Sequence, residues 1–395
     1  MSRRVLALGV ACVAVLFAVR GAVSGWRLAL SYDIAWDLDI YIRAIERMDA
    51  GTSIYDWVND FGMGYTYPPI AAVLMAPLTW ASQALVTKIW LAASIAAAAL
   101  LVVLLRVVSG RMTRSTWGLA ITAASIGAFL GTSTVQDNLI SGQVNLFLAV
   151  LLVLDLGRLL PPRLQGVLVG LAAAIKLTPL IVIAWYVLTR QWRAAANAVG
   201  VFAVAAAMGA FLLPADARDF WGWAVRETSR VGPLDLPGNA SLTGTLAKAG
   251  VEGTVLTVLW LGVGGLIVLA AFWQAERSRR AGDHAATVVI LGCASIIASP
   301  ISWPAHQIWL PLAGLLLAWH GTKWRVIIGI ALVLFCFFHI PLSRLWDGQG
   351  VLELLLDDLD FLFFSLICLL GLSRDRVEQP PSSVSPPPKT RVPAS

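Results

Sequence analysis

Acids, amides and cations are scarce in this chain, and the few that interrupt its apolar runs define the chemistry open to it. Asp33, Asp37 and Asp39 share one stretch, residues 31–78, with the break Tyr67-Pro68-Pro69. A carboxylate at Asp37, held at a membrane surface, can take a proton from a sugar hydroxyl and make it a nucleophile. It can equally cap the helix that follows by accepting backbone N–H groups. Asp39, two residues on, falls on a different side of that helix, so the two carboxylates do not share one proton. Lys176 follows the run LVGLAAAI. An ammonium at that depth needs an anion, and a phosphate suits so compact a charge; snorkelling to the interface is the alternative. Pro179 marks a helix break that frees backbone donors beside it. Arg226 and Arg230 can add charge to such a site or be solvated. Gln143 and Asn145, after Gly142, can bond sugar hydroxyls or cap the helix they begin. Ser302, Trp303 and His306 share one proline-flanked turn. There His306 can orient a substrate, act as an acid, or sit at the membrane interface. Trp36 and Trp303 can stack on a sugar face.

The elements that must carry these groups are membrane helices. Of 395 residues, 58% are hydrophobic and 13% charged, and the mean hydropathy is +0.77, more than one soluble core can hide. Many apolar runs reach the ~20 residues that cross a bilayer as a helix, and the alternation of an outer-membrane barrel is absent. The fold class is therefore all-α, integral to the membrane and polytopic. The four cysteines lie singly in apolar runs and read as packing residues, not disulfides or metal ligands. The net charge of +6 sits mainly in short Arg-rich loops, which argues for the positive-inside rule and against nucleic acid as a partner.

Placing every basic cluster in the cytoplasm threads the chain. A first helix over about 5–24 runs outward and puts the acidic stretch outside. Residues 40–48 form an amphipathic interfacial helix that buries Ile40, Ile45 and Met48. The run from Tyr67 to Trp80 is too short to span and is proline-broken, hence re-entrant or interfacial. Helices over about 117–133 and 143–158 go out and back with Thr134–Gly142 as the outer loop. Residues 164–188, basic at both ends, enter and leave on one side as two short helices meeting at depth. The expectation is about ten to twelve spans in one domain over 1–373, with a disordered Pro/Ser-rich cytoplasmic tail over 374–395. Every unusual polar group then faces outward.

In that order the strings WDLDIY, YTYPPIAAVLMAPL, SGQVNLFL, AIKLTPLI, RVGP with NASLTG, and SPISWPAHQIWLPL resemble glycosyltransferase family 87 over about residues 30–315. The likeness is to its actinobacterial polyprenyl-phosphate-mannose-dependent α-(1→2)-mannosyltransferases. The resemblance implies a GT-C helical bundle in the plasma membrane with an outward active site. It implies no cofactor and no metal, a polyprenyl-phosphate sugar donor, a glycolipid or lipoglycan acceptor, and inverting transfer. It matches Asp37 to the general base and Tyr67 to the Tyr-Pro-Pro element. Gln143 and Asn145 match the Gly-Gln-x-Asn element, and Lys176 the Lys-Leu-Thr-Pro element. Lys176 with Arg230 then holds the donor phosphate, and Asp39, Asn239, Ser302, Trp303 and His306 complete the substrate-binding set. Two departures bear on the acceptor: Ala305 stands where the family has the first of two histidines, and Asn239-Ala240-Ser241 replaces Asn-Gln-Ser.

Two other readings fit part of the pattern. Polyprenyl-phosphate arabinose is an alternative donor for the same fold. A transporter would also use a broken helix at Pro179, but the halves of the chain show no repeat. A purely structural membrane protein has no use for acids, amides and a deep lysine gathered on one face.

Overall fold

The computed structural model describes residue 23 and residues 35–236, 238–319, 322–338 and 358–372. The expected first helix, Asp33 and the Pro/Ser-rich tail lie outside these. The described chain is helical, with one isolated antiparallel bridge between Val58 and Gly64.

Three helices are long and apolar enough to cross a bilayer: α3 (Gln83–Val108), α9 (Trp192–Leu212) and α12 (Gly253–Arg280). Their large apolar side chains face outward, among them Ile89 and Leu100 on α3, Val204 and Phe211 on α9, and Leu261 and Leu266 on α12. In water so much exposed apolar surface would be costly; against lipid tails it is the expected outer skin. The chain is a membrane protein. Other apolar helices are shorter: α6 (Asn145–Leu156), α13 (His284–Ala298), α14 (Trp309–Ala318) and α16 (Leu359–Leu370). At 1.5 Å per residue, ten to fifteen residues reach only ~15–22 Å, so none of these spans ~30 Å of hydrocarbon alone. By length and composition the described helices supply three spans, or four with a bent pair, fewer than the sequence suggests.

That bent pair is the main local departure from expectation. α4 (Thr116–Leu130) meets α5 (Ser133–Ser141) at 62°. The segment expected as an outer loop is therefore largely helical, and its Gly142 closes it in the left-handed region at φ 72°. The interruption at Lys176 does divide two short helices, α7 (Val167–Ile175) and α8 (Leu180–Leu188). α7 packs on α9 through small residues: a Cβ on Gly170 would come within 2.4 Å of the Ala198 carbonyl oxygen, a backbone approach that only glycine permits. Asp155, buried at the end of α6, accepts the backbone N–H groups of Gly166, Leu168 and Val169 and the Tyr186 hydroxyl. It satisfies the free donors that open α7 and so has a structural task.

Ahead of α3 lie α1 (Trp36–Asp49) and α2 (Pro69–Met75), continued by a 3₁₀ turn over Ala76–Thr79. α1 buries Leu38, Ile40, Tyr41, Ile42, Ala44 and Ile45, while Met48 is partly buried. The amphipathic helix expected from its spacing is there, and its apolar face packs on α2 and α5. Proline at the first position of α2 suits a helix start, where its missing N–H costs nothing.

Candidate active site

α1 begins one residue after its cap, Ala35, whose side chain makes no capping bond. Asp37 is the second helical residue and is not the N-cap. Its carboxyl lies near Gln143 and Ser141 of the α5–α6 junction, with Lys176 the cation and Asp137 the carboxylate that act on it. Burial pushes the Asp37 carboxyl up to about 6, against the opposing pull of Gln143 and Lys176. At neutral pH it remains a carboxylate with raised basicity, suited to taking a proton from a hydroxyl.

The close fit of α1 depends on Gly142. A Cβ there would lie 2.9 Å from the Leu38 Cβ and 3.0 Å from the Ala35 Cβ, on either side of Asp37. The Gly142 carbonyl also accepts from the Trp90 indole at 2.8 Å. Gly142→Ala would strain a left-handed backbone and push α1 outward. A loss of about 1–3 kcal/mol in stability, seen by thermal unfolding, is expected together with a fall in activity.

From Gln143, beside Asp37, a chain of hydrogen bonds leads inward. The Gln143 Oε1 accepts from Tyr67 at 3.1 Å and Tyr41 at 3.3 Å, and those two hydroxyls are 2.9 Å apart. Asn145 reaches the same oxygen at 3.4 Å and the Ala305 carbonyl at 3.0 Å. Its Oδ1 accepts from the Lys176 ammonium at 2.9 Å. Neither amide caps α6, whose N-cap is Val144. Lys176 ends α7, where the helix dipole favours a cation, and lies 5.4 Å above the Tyr67 ring. Its Nζ also meets His306 Nε2 at 3.2 Å. Burial and the adjacent ammonium hold the His306 imidazole well below its usual value. The ring is therefore neutral, with Nε2 accepting and the proton on Nδ1, and it does not supply an acid.

Lys176, Asn145, His306, Ser295, Ser299 and Ser302 share the polar lining of a cavity of about 40 Å³, closed on its other side by apolar residues of α6, α8 and α13. Ser302 is fully buried and its hydroxyl has no protein partner. Its backbone, by contrast, is held at both ends. Its N–H donates to Asn239 Oδ1 at 2.9 Å, and its carbonyl accepts from Ala240 N–H at 3.0 Å and Gln307 Nε2 at 2.9 Å.

The remaining expected site residues are placed elsewhere. Asp39 pairs with Arg43 at 3.4 Å on the outer side of α1, and Trp36 is exposed. Asn239 is fully buried and spends its amide on Ser302, Ser241 and the Leu234 carbonyl, joining two loops. Trp303 donates its indole N–H to the Val231 carbonyl at 3.1 Å. Arg230 bonds the Trp57 carbonyl at 3.2 Å and lies over Trp223. The rings of Tyr55, Tyr65 and Tyr67 pack against one another in turn, and Lys176 lies over the last of them. Arg226 is exposed. Tyr41 and Ser141 belong to the site and escaped sequence reasoning. Tyr41 carried a signal, since it follows Asp37 by four residues and shares its helix face; Ser141 carried none.

Two known proteins and one family profile are similar to this chain. One relative, from Mycobacterium tuberculosis, is a polyprenol-phosphate-mannose-dependent alpha-(1-2)-phosphatidylinositol mannoside mannosyltransferase. It is 29% identical over 337 residues, covering 81% of this chain and 78% of its own. Another, from Mycolicibacterium smegmatis, is a polyprenol-phosphate-mannose-dependent alpha-(1-2)-phosphatidylinositol pentamannoside mannosyltransferase. It is 31% identical over 283 residues, covering 69% of this chain and 67% of its own. The sequence profile of glycosyltransferase family 87 matches residues 65–300, from the Tyr-Pro-Pro break to the start of the turn that carries Ser302. This chain belongs to glycosyltransferase family 87.

Proposed function

We propose that this membrane glycosyltransferase moves mannose from polyprenyl-phosphate mannose to a hydroxyl of a mannoside glycolipid, with inversion at the transferred carbon. The observation that carries this reading is the row Asp37, Gln143, Asn145 and Lys176, hydrogen-bonded from Gln143 to Lys176, which sets a basic carboxylate and a half-buried cation beside a small cavity. Asp37 removes the acceptor proton as the acceptor oxygen attacks the mannosyl carbon. The bond from that carbon to phosphate breaks, and the departing phosphate takes the electron pair. Lys176 balances the charge that develops there, so no acid is needed for the leaving group. Gln143 and Asn145 set the spacing of the two groups, and His306, as an acceptor, orients the ammonium. Arg230, Asn239, Trp303 and Asp39 act on substrate only through the loops they brace or the surface they form. The chain then has a single GT-C domain over residues 1–373 with about ten to twelve spans, in the plasma membrane with the site on the outer face, and a cytoplasmic tail.

The donor sugar is tested by supplying purified protein in lipid nanodiscs with polyprenyl-phosphate mannose and polyprenyl-phosphate arabinose in parallel. Transfer from the first alone is expected; transfer from arabinose alone would overturn the assignment. Ser302 offers a finer check. Its hydroxyl is free to donate to a phosphate oxygen, so Ser302→Ala should raise the donor KM about threefold to tenfold. Thermal unfolding should not suffer, because the change removes a buried hydroxyl that lacks a protein partner.

A further inference from the structure

A second, larger groove of about 540 Å³ lies on the other side of the Ser302 turn. Its lining includes Asp235, Glu252, Thr228, Thr243, Thr257 and Trp260, and among the described residues it contains no Lys, Arg or His. Two cations near it in sequence each have a partner outside the groove. Arg230 bonds the Trp57 carbonyl, and Lys248 is paired with Asp358. A groove with carboxylates and no cation repels phosphate, whereas carboxylates and threonine hydroxyls match the donors of a neutral polyol. Trp260 adds an aromatic face of the kind that packs on sugar C–H groups. It opens a π-helical turn, Trp260–Gly264, in the course of α12, a wide turn of a type frequent at functional sites.

The position of this groove links it to the reaction. Pro300 lines it, while Ser299 and Ser302 of the same short turn line the Lys176 cavity. Pro300 is fixed there by the Thr243 hydroxyl, which donates to its carbonyl. One short turn thus borders both the cavity that holds Lys176 and the groove that holds Asp235 and Glu252, whose lining also includes Leu234, Val251 and Leu256. The volume lies within the ~300–1,000 Å³ usual for ligand sites. We propose that the groove is a carbohydrate subsite that holds non-reacting mannosyl units of the acceptor. This rests on the mannosyltransferase reading above, and it gives the acceptor a place distinct from the donor phosphate.

The test is binding, independent of transfer. Full-length protein in nanodiscs is titrated with α-linked mannotriose, an uncharged probe, and separately with polyprenyl phosphate. Asp235→Asn and Glu252→Gln, both at exposed positions, should each weaken mannotriose about threefold to tenfold. Trp260→Ala should weaken it about tenfold, with Trp260→Phe restoring most of the affinity. Polyprenyl phosphate binding should stay unchanged in all four. The proposal is overturned if wild type does not bind mannotriose, if all four variants bind it like wild type, or if they lose polyprenyl phosphate instead. A mistaken donor assignment would show separately, as absent transfer from polyprenyl-phosphate mannose by a protein whose groove still binds mannotriose.

Discussion

Asp37→Asn is expected to lower kcat by about 10²–10⁴-fold, the usual contribution of a positioned general base, while the donor KM changes little. The substitution keeps the shape of the side chain beside Gln143 and Ser141 but removes its capacity to take a proton. It should not unfold the protein, because it deletes a charge from a place where burial disfavours charge; a melting temperature at neutral pH equal to or above wild type is the control. The pH dependence has a definite sign. A base must be ionised to act, and this carboxyl is pushed up to about 6. The wild-type rate should therefore be near its plateau at neutral pH and fall about tenfold per unit below 6. A rate constant down to pH 4.5, or a fully active Asn variant, would remove Asp37 from this role.

Lys176→Met is expected to reduce kcat/KM for the donor by about 10²–10³-fold, the loss typical when a group that balances charge on a leaving oxygen is removed. Lys176→Arg tests the geometry. A lysine that merely snorkels would be replaced by arginine without penalty. Here the ammonium lies between Asn145 Oδ1 and His306 Nε2 and over the Tyr67 ring. A planar guanidinium does not reproduce those contacts in a cavity of about 40 Å³. Arginine should therefore restore only a small part of the activity. Equal rates for arginine and wild type, measured with polyprenyl-phosphate mannose in nanodiscs, would assign Lys176 to the membrane interface instead.

The two variants probe opposite ends of one row of side chains, so their effects should not add. Residues that act as a unit lose most of their joint contribution when either is removed. Arg230 provides a contrast. One arm of its guanidinium bonds the Trp57 carbonyl and lies over the Trp223 face, while its buried Nε has no partner in the protein.

What the amino-acid order determined by itself was the membrane setting, the amphipathic α1 and the break at Lys176. Each follows from local rules: apolar runs avoid water, residues three and four apart share a helix face, and proline interrupts the backbone hydrogen-bond ladder. The chemical candidates were legible for a related reason, since Asp37 and Lys176 are costly in apolar surroundings and invite a functional explanation. Tertiary structure alone decided which candidates meet. Asp37 and Asp39 are two residues apart in sequence, yet one faces Gln143 and the other pairs with Arg43. Lys176 and His306 are 130 residues apart in sequence and 3.2 Å apart in space. Contacts at that range depend on how α5 bends from α4 and on the space left by Gly142 for α1. Packing sets those features through many small steric fits, and no local pattern in the sequence records them.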